Sequence, residues 1–359
     1  MKWSINFGRI FGIRFRIHLT FLMLVALFGF VGAGAYGPIG ALSAMLFVCA
    51  VFVCVTVHEL AHSLVARSFG VPVESITLLP IGGVAAMRGL PDGPYEEILI
   101  SAAGPAVSIA IFAVMAVPLH VTVNEIWPPD PFTIHPRHFM VSLASVNLVL
   151  GLFNLIPAFP MDGGRLLRGL LALLAGFERA TRVATLIGQV FGITLIVVGF
   201  FVFGSLWLPL IGFFIYLGAS AEQRQLRIRS LLKRIRVSQV MVSSFRVIEP
   251  SLAIGWAAQM LLHGVQEDFP VVDGQRLLGI VPAVTVAEAL QREQFEVPVV
   301  EVLAADLPTV TPETDLDTVQ QKMLLGKHTV LPVTSGGHLV GMVSQNHISR
   351  FLNAHRVVA

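Results

Sequence analysis

Apolar residues fill long unbroken runs over the first 220 positions of this chain and short alternating stretches after them. A helix needs about 20 apolar residues to cross the hydrocarbon core of a bilayer. Runs at about 18–37, 43–67, 97–119, 138–157, 184–203 and 204–220 approach or exceed that length and predict about six transmembrane helices. The first is longer than the apolar core of a cleaved signal, so it is read as a retained span. Between the second and third, Ile76–Ala85 is rich in strand formers around Gly82-Gly83, which predicts a small β-hairpin.

Beyond residue 236 the pattern repeats. Pro250 answers Pro312, Pro270 answers Pro332 and Gly279 answers Gly341, each 62 positions on, so residues 237–298 and 299–359 are two copies of one unit. Each copy reads as a helix (253–263; 316–325), a strand (269–272; 329–333), a Gly-containing turn, a second strand (278–281; 339–343) and a closing helix. This α/β duplication resembles a tandem pair of CBS domains. The resemblance implies a cleft between the copies for an adenine nucleotide such as ATP. Ser344 fits the hydroxyl of the family's phosphate-contacting segment, whereas Thr285 and His347 stand where its aspartates would be. A purely structural or dimerising module is the equal alternative.

Composition agrees with a membrane domain over 1–220, a basic linker over 221–236 and a soluble tail. The 359 residues are 55% hydrophobic and 13% charged, against about 25% charged in an average soluble domain. Twenty of the first 220 residues are charged, against 26 of the last 139. Lys and Arg flanking spans mark the cytoplasmic side. Lys2, Arg9, Arg14, Arg16, Arg67, Arg88, Arg165, Arg168, Arg179, Arg182 and the basic residues of 224–236 share one side, and Arg137 stands alone on the other. The chain is thus expected to be a multi-pass protein of the cell membrane with both termini cytoplasmic. A net charge of +2 without a dense basic face gives no case for nucleic acid. Cys49 and Cys54 share one apolar run, which argues against a disulfide framework or a thiolate metal site.

Chemistry concentrates at the end of the second span, in His58-Glu59-Leu60-Ala61-His62. On a helix this H-E-x-x-H places both imidazoles on one face, able to reach one zinc ion, with Glu59 beside it as a proton acceptor. A glutamate in a span is costly and tends to be kept for function. Catalytic zinc takes three protein ligands plus water. The best third candidate is Asp162, in Asn154-Leu-Ile-Pro157-Ala-Phe-Pro160-Met-Asp162-Gly-Gly, which breaks the fourth span at about the same depth. His18, His120, His135 and His138 lie at span ends or in the outer loop, away from this cluster.

HELAH in one span with N-x-x-P-x-x-P-x-D-G after another resembles the site-2 protease family of intramembrane zinc metalloproteases, and the trailing repeat resembles its sporulation-type subgroup. The resemblance implies hydrolysis of peptide bonds in or near the transmembrane segment of a single-span substrate. Carried over by position, His58, His62 and Asp162 would bind zinc, Glu59 would be the acid/base, and Asn154 would hold the substrate backbone or oxyanion. Gly82 and Gly83 would lie in a small membrane-associated β-hairpin whose edge strand aligns substrate. Ala103-Gly104-Pro105 matches a family Gly-Pro, while Ser108 stands where asparagine is usual. The alternative is a metal-ion transporter or channel regulated by the CBS pair.

Overall fold

Alternation in Ser4–Ile10 and Ile13–His18 makes an antiparallel hairpin, β1 and β2, turned at Phe11 and Gly12, whose φ values are 51° and 78°. Such positive φ at both turn residues matches the twist of paired strands. The computed structural model to which these strands belong describes residues 3–80, 82–87, 93–122, 136–264, 266–274 and 276–354. Lys2, Ile81, Arg88, His135 and the end of the second repeat lie outside the described residues.

Contacts divide the chain into one unit ending at Leu226 and another beginning at Arg227. In the first, α1 (Leu19–Ser68) bends at Tyr36 and Gly37, where Pro38 cannot supply a backbone N–H. Its legs fold back on each other, packing Phe21 and Val25 against Val48 and Phe52. These legs are the first two expected spans. The other four fall on α2 (Pro94–Leu119), α3 (Pro136–Asn154), α5 (Phe177–Phe201) and α6 (Trp207–Leu232). By length and composition α1, α2 and α5 are able to cross a membrane. α3 is only 19 residues long, and the second half of α6 is polar. The α4 helix (Asp162–Ala175) was not foreseen; at 14 residues it is too short to span.

The expected hairpin is present as β3 (Val73–Leu79) and β4 (Gly82–Met87). It joins β1 and β2 in one four-stranded sheet of order β1-β2-β3-β4, in which β2 and β3 run parallel. β4 therefore lies at an edge. Residues 221–232, read from sequence as a linker, continue α6 without a break.

The second unit holds α7 (Ile254–Leu262), β5 (Phe269–Asp273), β6 (Arg276–Val281) and α8 (Ala283–Gln291), then α9 (Leu316–Gly326), β7 (Val330–Ser335), β8 (His338–Ser344) and α10 (Gln345–Ala354). The two halves match bridge for bridge: Ile248 pairs with Val271 as Val310 pairs with Val333. Packing, however, is offset from the sequence copies. Val299 and Leu303, which open the second copy, belong to the core of the first half with Ile248, Phe269 and Val286. Val237 and Val240, which open the first, belong to the core of the second half with Leu316, Leu331 and Ile348. Leu232, at the end of α6, is 1% exposed in that same core.

Candidate metal centre

His58 and His62 stand one turn apart on the second leg of α1 and are 3% and 6% exposed. Asp162 comes from elsewhere in the chain, at the first turn of α4. Its Oδ2 lies 3.2 Å from His58 Nε2 and 3.1 Å from His62 Nε2, and the two Nε2 atoms are 3.1 Å apart. Among the described residues this is the group of three or more His, Cys, Asp or Glu side chains whose ligand atoms converge.

The far side of each imidazole is already engaged. His62 Nδ1 donates to the Ile100 carbonyl at 2.6 Å, which leaves Nε2 with its lone pair. His58 Nδ1 meets Ser108 Oγ at 2.9 Å. An outer partner of this kind fixes tautomer and ring orientation. Lone pairs of an imidazole and a carboxylate thus point at one spot, an arrangement a cation relieves. A zinc ion bound at 2.0–2.1 Å in tetrahedral geometry holds its ligands roughly 3.3 Å apart. The triangle of 3.1–3.2 Å edges fits it.

Small residues make the room. A Cβ on Gly104 of α2 would stand 2.2 Å from His62 Nε2 and 2.6 Å from His58 Nε2. A Cβ on Gly83 of β4 would stand 2.5 Å from Glu59 Cγ. The acidic side chain expected beside the metal is therefore flanked by the exposed edge of the sheet. Gly163 and Gly164 let the loop 155–161 fold against the start of α4, with its carbonyls within 2.3–2.9 Å of where their Cβ atoms would be.

Asn154 is not drawn into the triangle. It ends α3, and its Nδ2 donates to Leu150 O at 2.9 Å, one turn back on its own helix. Ser344 is 3% exposed and forms a reciprocal cap at the start of α10: His347 N donates to Ser344 Oγ at 3.3 Å, and Ser344 N to His347 Nδ1 at 3.2 Å. Of the histidines at span ends, His18 caps α1 through Thr20, and His120 is the C-cap residue of α2. Ile100 went unnoticed because a backbone acceptor leaves no trace in sequence. The family resemblance singles out Gly104 and Ser108 in the sequence, as the Gly of a Gly-Pro and the residue standing for asparagine; their roles in making room for and bonding the imidazoles have no such signal.

A family model described as peptidase family M50 matches residues 46–125 and 118–199, and a CBS domain model matches residues 299–354. A zinc metalloprotease of Methanocaldococcus jannaschii is 32% identical over 355 residues, 98% of this chain and 97% of that one. Stage IV sporulation protein FB of Bacillus subtilis is 28% identical over 170 residues, 46% of this chain and 51% of its own. The solved structure of a site-2 protease from Methanocaldococcus jannaschii, 34% identical, covers 61% of this chain and 95% of its own with a TM-score of 0.43.

Proposed function

This chain belongs to peptidase family M50 and is a membrane zinc metalloprotease, and from that premise we propose that His58, His62 and Asp162 hold the zinc while Glu59 moves the proton in cleavage of membrane-anchored substrates. The observation that carries the reading is the convergence of two imidazole nitrogens and one carboxylate oxygen, with Glu59 adjoining. Bound there, zinc supplies a Lewis acid that acidifies water and polarises a peptide carbonyl.

The protein's own groups do the rest. Glu59 accepts the proton of the attacking water and returns it to the departing amine. Ile100 O and Ser108 hold the imidazoles in the orientation their Nε2 atoms need. Asn154 serves the oxyanion by exchanging Leu150 O for the substrate. A transmembrane helix keeps its carbonyls in internal hydrogen bonds, so a substrate must unwind before it is cut. The open edge of β4 at Gly82-Gly83 receives the unwound segment as an added strand, beside Glu59. The substrate is a single-span protein, water reaches the site from the cytoplasmic face, and both termini are cytoplasmic.

The CBS pair is the regulatory part, gating substrate entry in response to an adenine nucleotide or to dimerisation. The Ser344 hydroxyl accepts from His347 N at the start of α10, so a nucleotide phosphate would have to share it with that cap. An ion path through the same residues would need a second cluster to receive the ion, and the described residues converge in one.

The deciding experiment uses purified full-length protein in detergent with a single-span test substrate. Glu59→Gln is expected to retain zinc and lose cleavage, and Asp162→Ala to lose zinc. A fully active Glu59→Gln protein overturns the assigned base, and unchanged zinc in Asp162→Ala removes that ligand.

A further inference from the structure

Among the described residues of the membrane unit, a buried charge cluster lies outside the metal triangle. Arg168 of α4 is 3% exposed and donates Nε to Glu97 Oε1 of α2 at 2.8 Å, with Nη2 on the same oxygen. Its Nη1 donates to Glu222 Oε1 of α6. The guanidinium also faces the rings of Phe159 and Phe177, at 5.1 and 4.7 Å from their centroids. Charges so deeply placed among apolar helices carry a large desolvation cost and need a reason to be there.

Two of the groups held by Arg168, Glu97 and Phe159, are close in sequence to parts of the metal centre. Glu97 is three residues before Ile100, whose carbonyl takes the His62 proton. Phe159 is three residues before Asp162 and is 2% exposed. Arg168 is on the helix that Asp162 begins. Its planar fork of donors suits simultaneous bonds to two carboxylates, which an ammonium group does not reproduce.

Resting on the metalloprotease reading, we propose that Arg168 is a positioning residue for the metal centre. By locking α4 and its leading loop to α2 and α6, it sets how closely Asp162 approaches His58 and His62. If it only neutralised Glu97 and Glu222, lysine would serve as well.

The test strips full-length protein of metal and measures zinc affinity by competition with a chromophoric chelator. Alongside it run the melting midpoint, kcat and KM on a single-span substrate. Arg168→Lys retains the charge and loses the fork; its zinc affinity is expected to fall about 10- to 100-fold, as for other residues that orient metal ligands. At saturating zinc kcat is expected to fall while KM stays within about twofold. The pair Arg168→Gln with Glu97→Gln, which leaves fewer uncompensated carboxylates than Arg168→Gln alone, is expected to lose affinity in the same direction. A folded variant of either kind with zinc affinity within about twofold of the parent overturns the proposal. A parent protein that binds no zinc overturns the metalloprotease reading instead.

Discussion

Two side chains and a missing one govern the site at the scale of single residues. His62 owes its orientation to Ile100 O, His58 to Ser108 Oγ, and both owe their space to the absent side chain of Gly104. Gly104→Ala is expected to displace the imidazoles and lower zinc affinity by tenfold or more, although no ligand is altered. Zinc retained at parental affinity in that variant would mean that α2 yields. HELAH was legible because helical spacing alone puts its histidines on one face. Asp162 was legible from the break in the fourth span and its depth. The outer partners were not: Ile100 contributes a carbonyl that every residue has, and Arg168 reads from sequence as one more cytoplasmic cation. Its partners Glu97 and Glu222 lie 71 and 54 residues away along the chain.

Individual helices and strands followed their periodicity where it was long. The apolar runs became α1, α2, α3, α5 and α6, and the second repeat's strands lie within a residue or two of where alternation put them. α4 was missed because its three glycines and two arginines interrupt an apolar pattern, and β1–β2 because their alternation is short and carries Arg9, Arg14 and Arg16. A prediction at this scale concerns Asp268, just before β5, whose Oδ1 accepts from Ala283 N at the start of α8 at 3.1 Å. Burial, with help from the Glu267 charge, pushes its carboxyl up to about 6. Below about pH 4 the group is protonated folded or unfolded. Between about 4 and 6 only the folded state keeps the proton, so its contribution to stability declines across that window and stays low above it. Asp268→Asn retains the acceptor without the charge. It is expected to stabilise residues 227–359 by about 2–3 kcal/mol at pH 8 and by nothing at pH 4. Thermal midpoints at the two pH values check this, and an equal gain at both would refute it.

Taken whole, the molecule is a membrane unit and a CBS pair joined by one helix, since α6 runs unbroken from Glu222, bonded to Arg168, to Leu232, buried in the core of the second CBS half. If the pair gates entry, a chain ended after Leu226 is expected to cleave but to discriminate less, the ratio of kcat/KM for two single-span substrates moving toward one. An unchanged ratio excludes gating. The way the halves are assembled has its own consequence for how the protein is made. The first half is drawn from one continuous stretch, so it is able to fold as soon as it leaves the ribosome. The second is drawn from the stub of α6 with residues 235–241 and from residues 310–352, on either side of the first. Its hydrophobic centre closes only once residues up to 352 have been made, so a nascent chain stopped short of them leaves Leu232 and Val237 bare to chaperones and proteases.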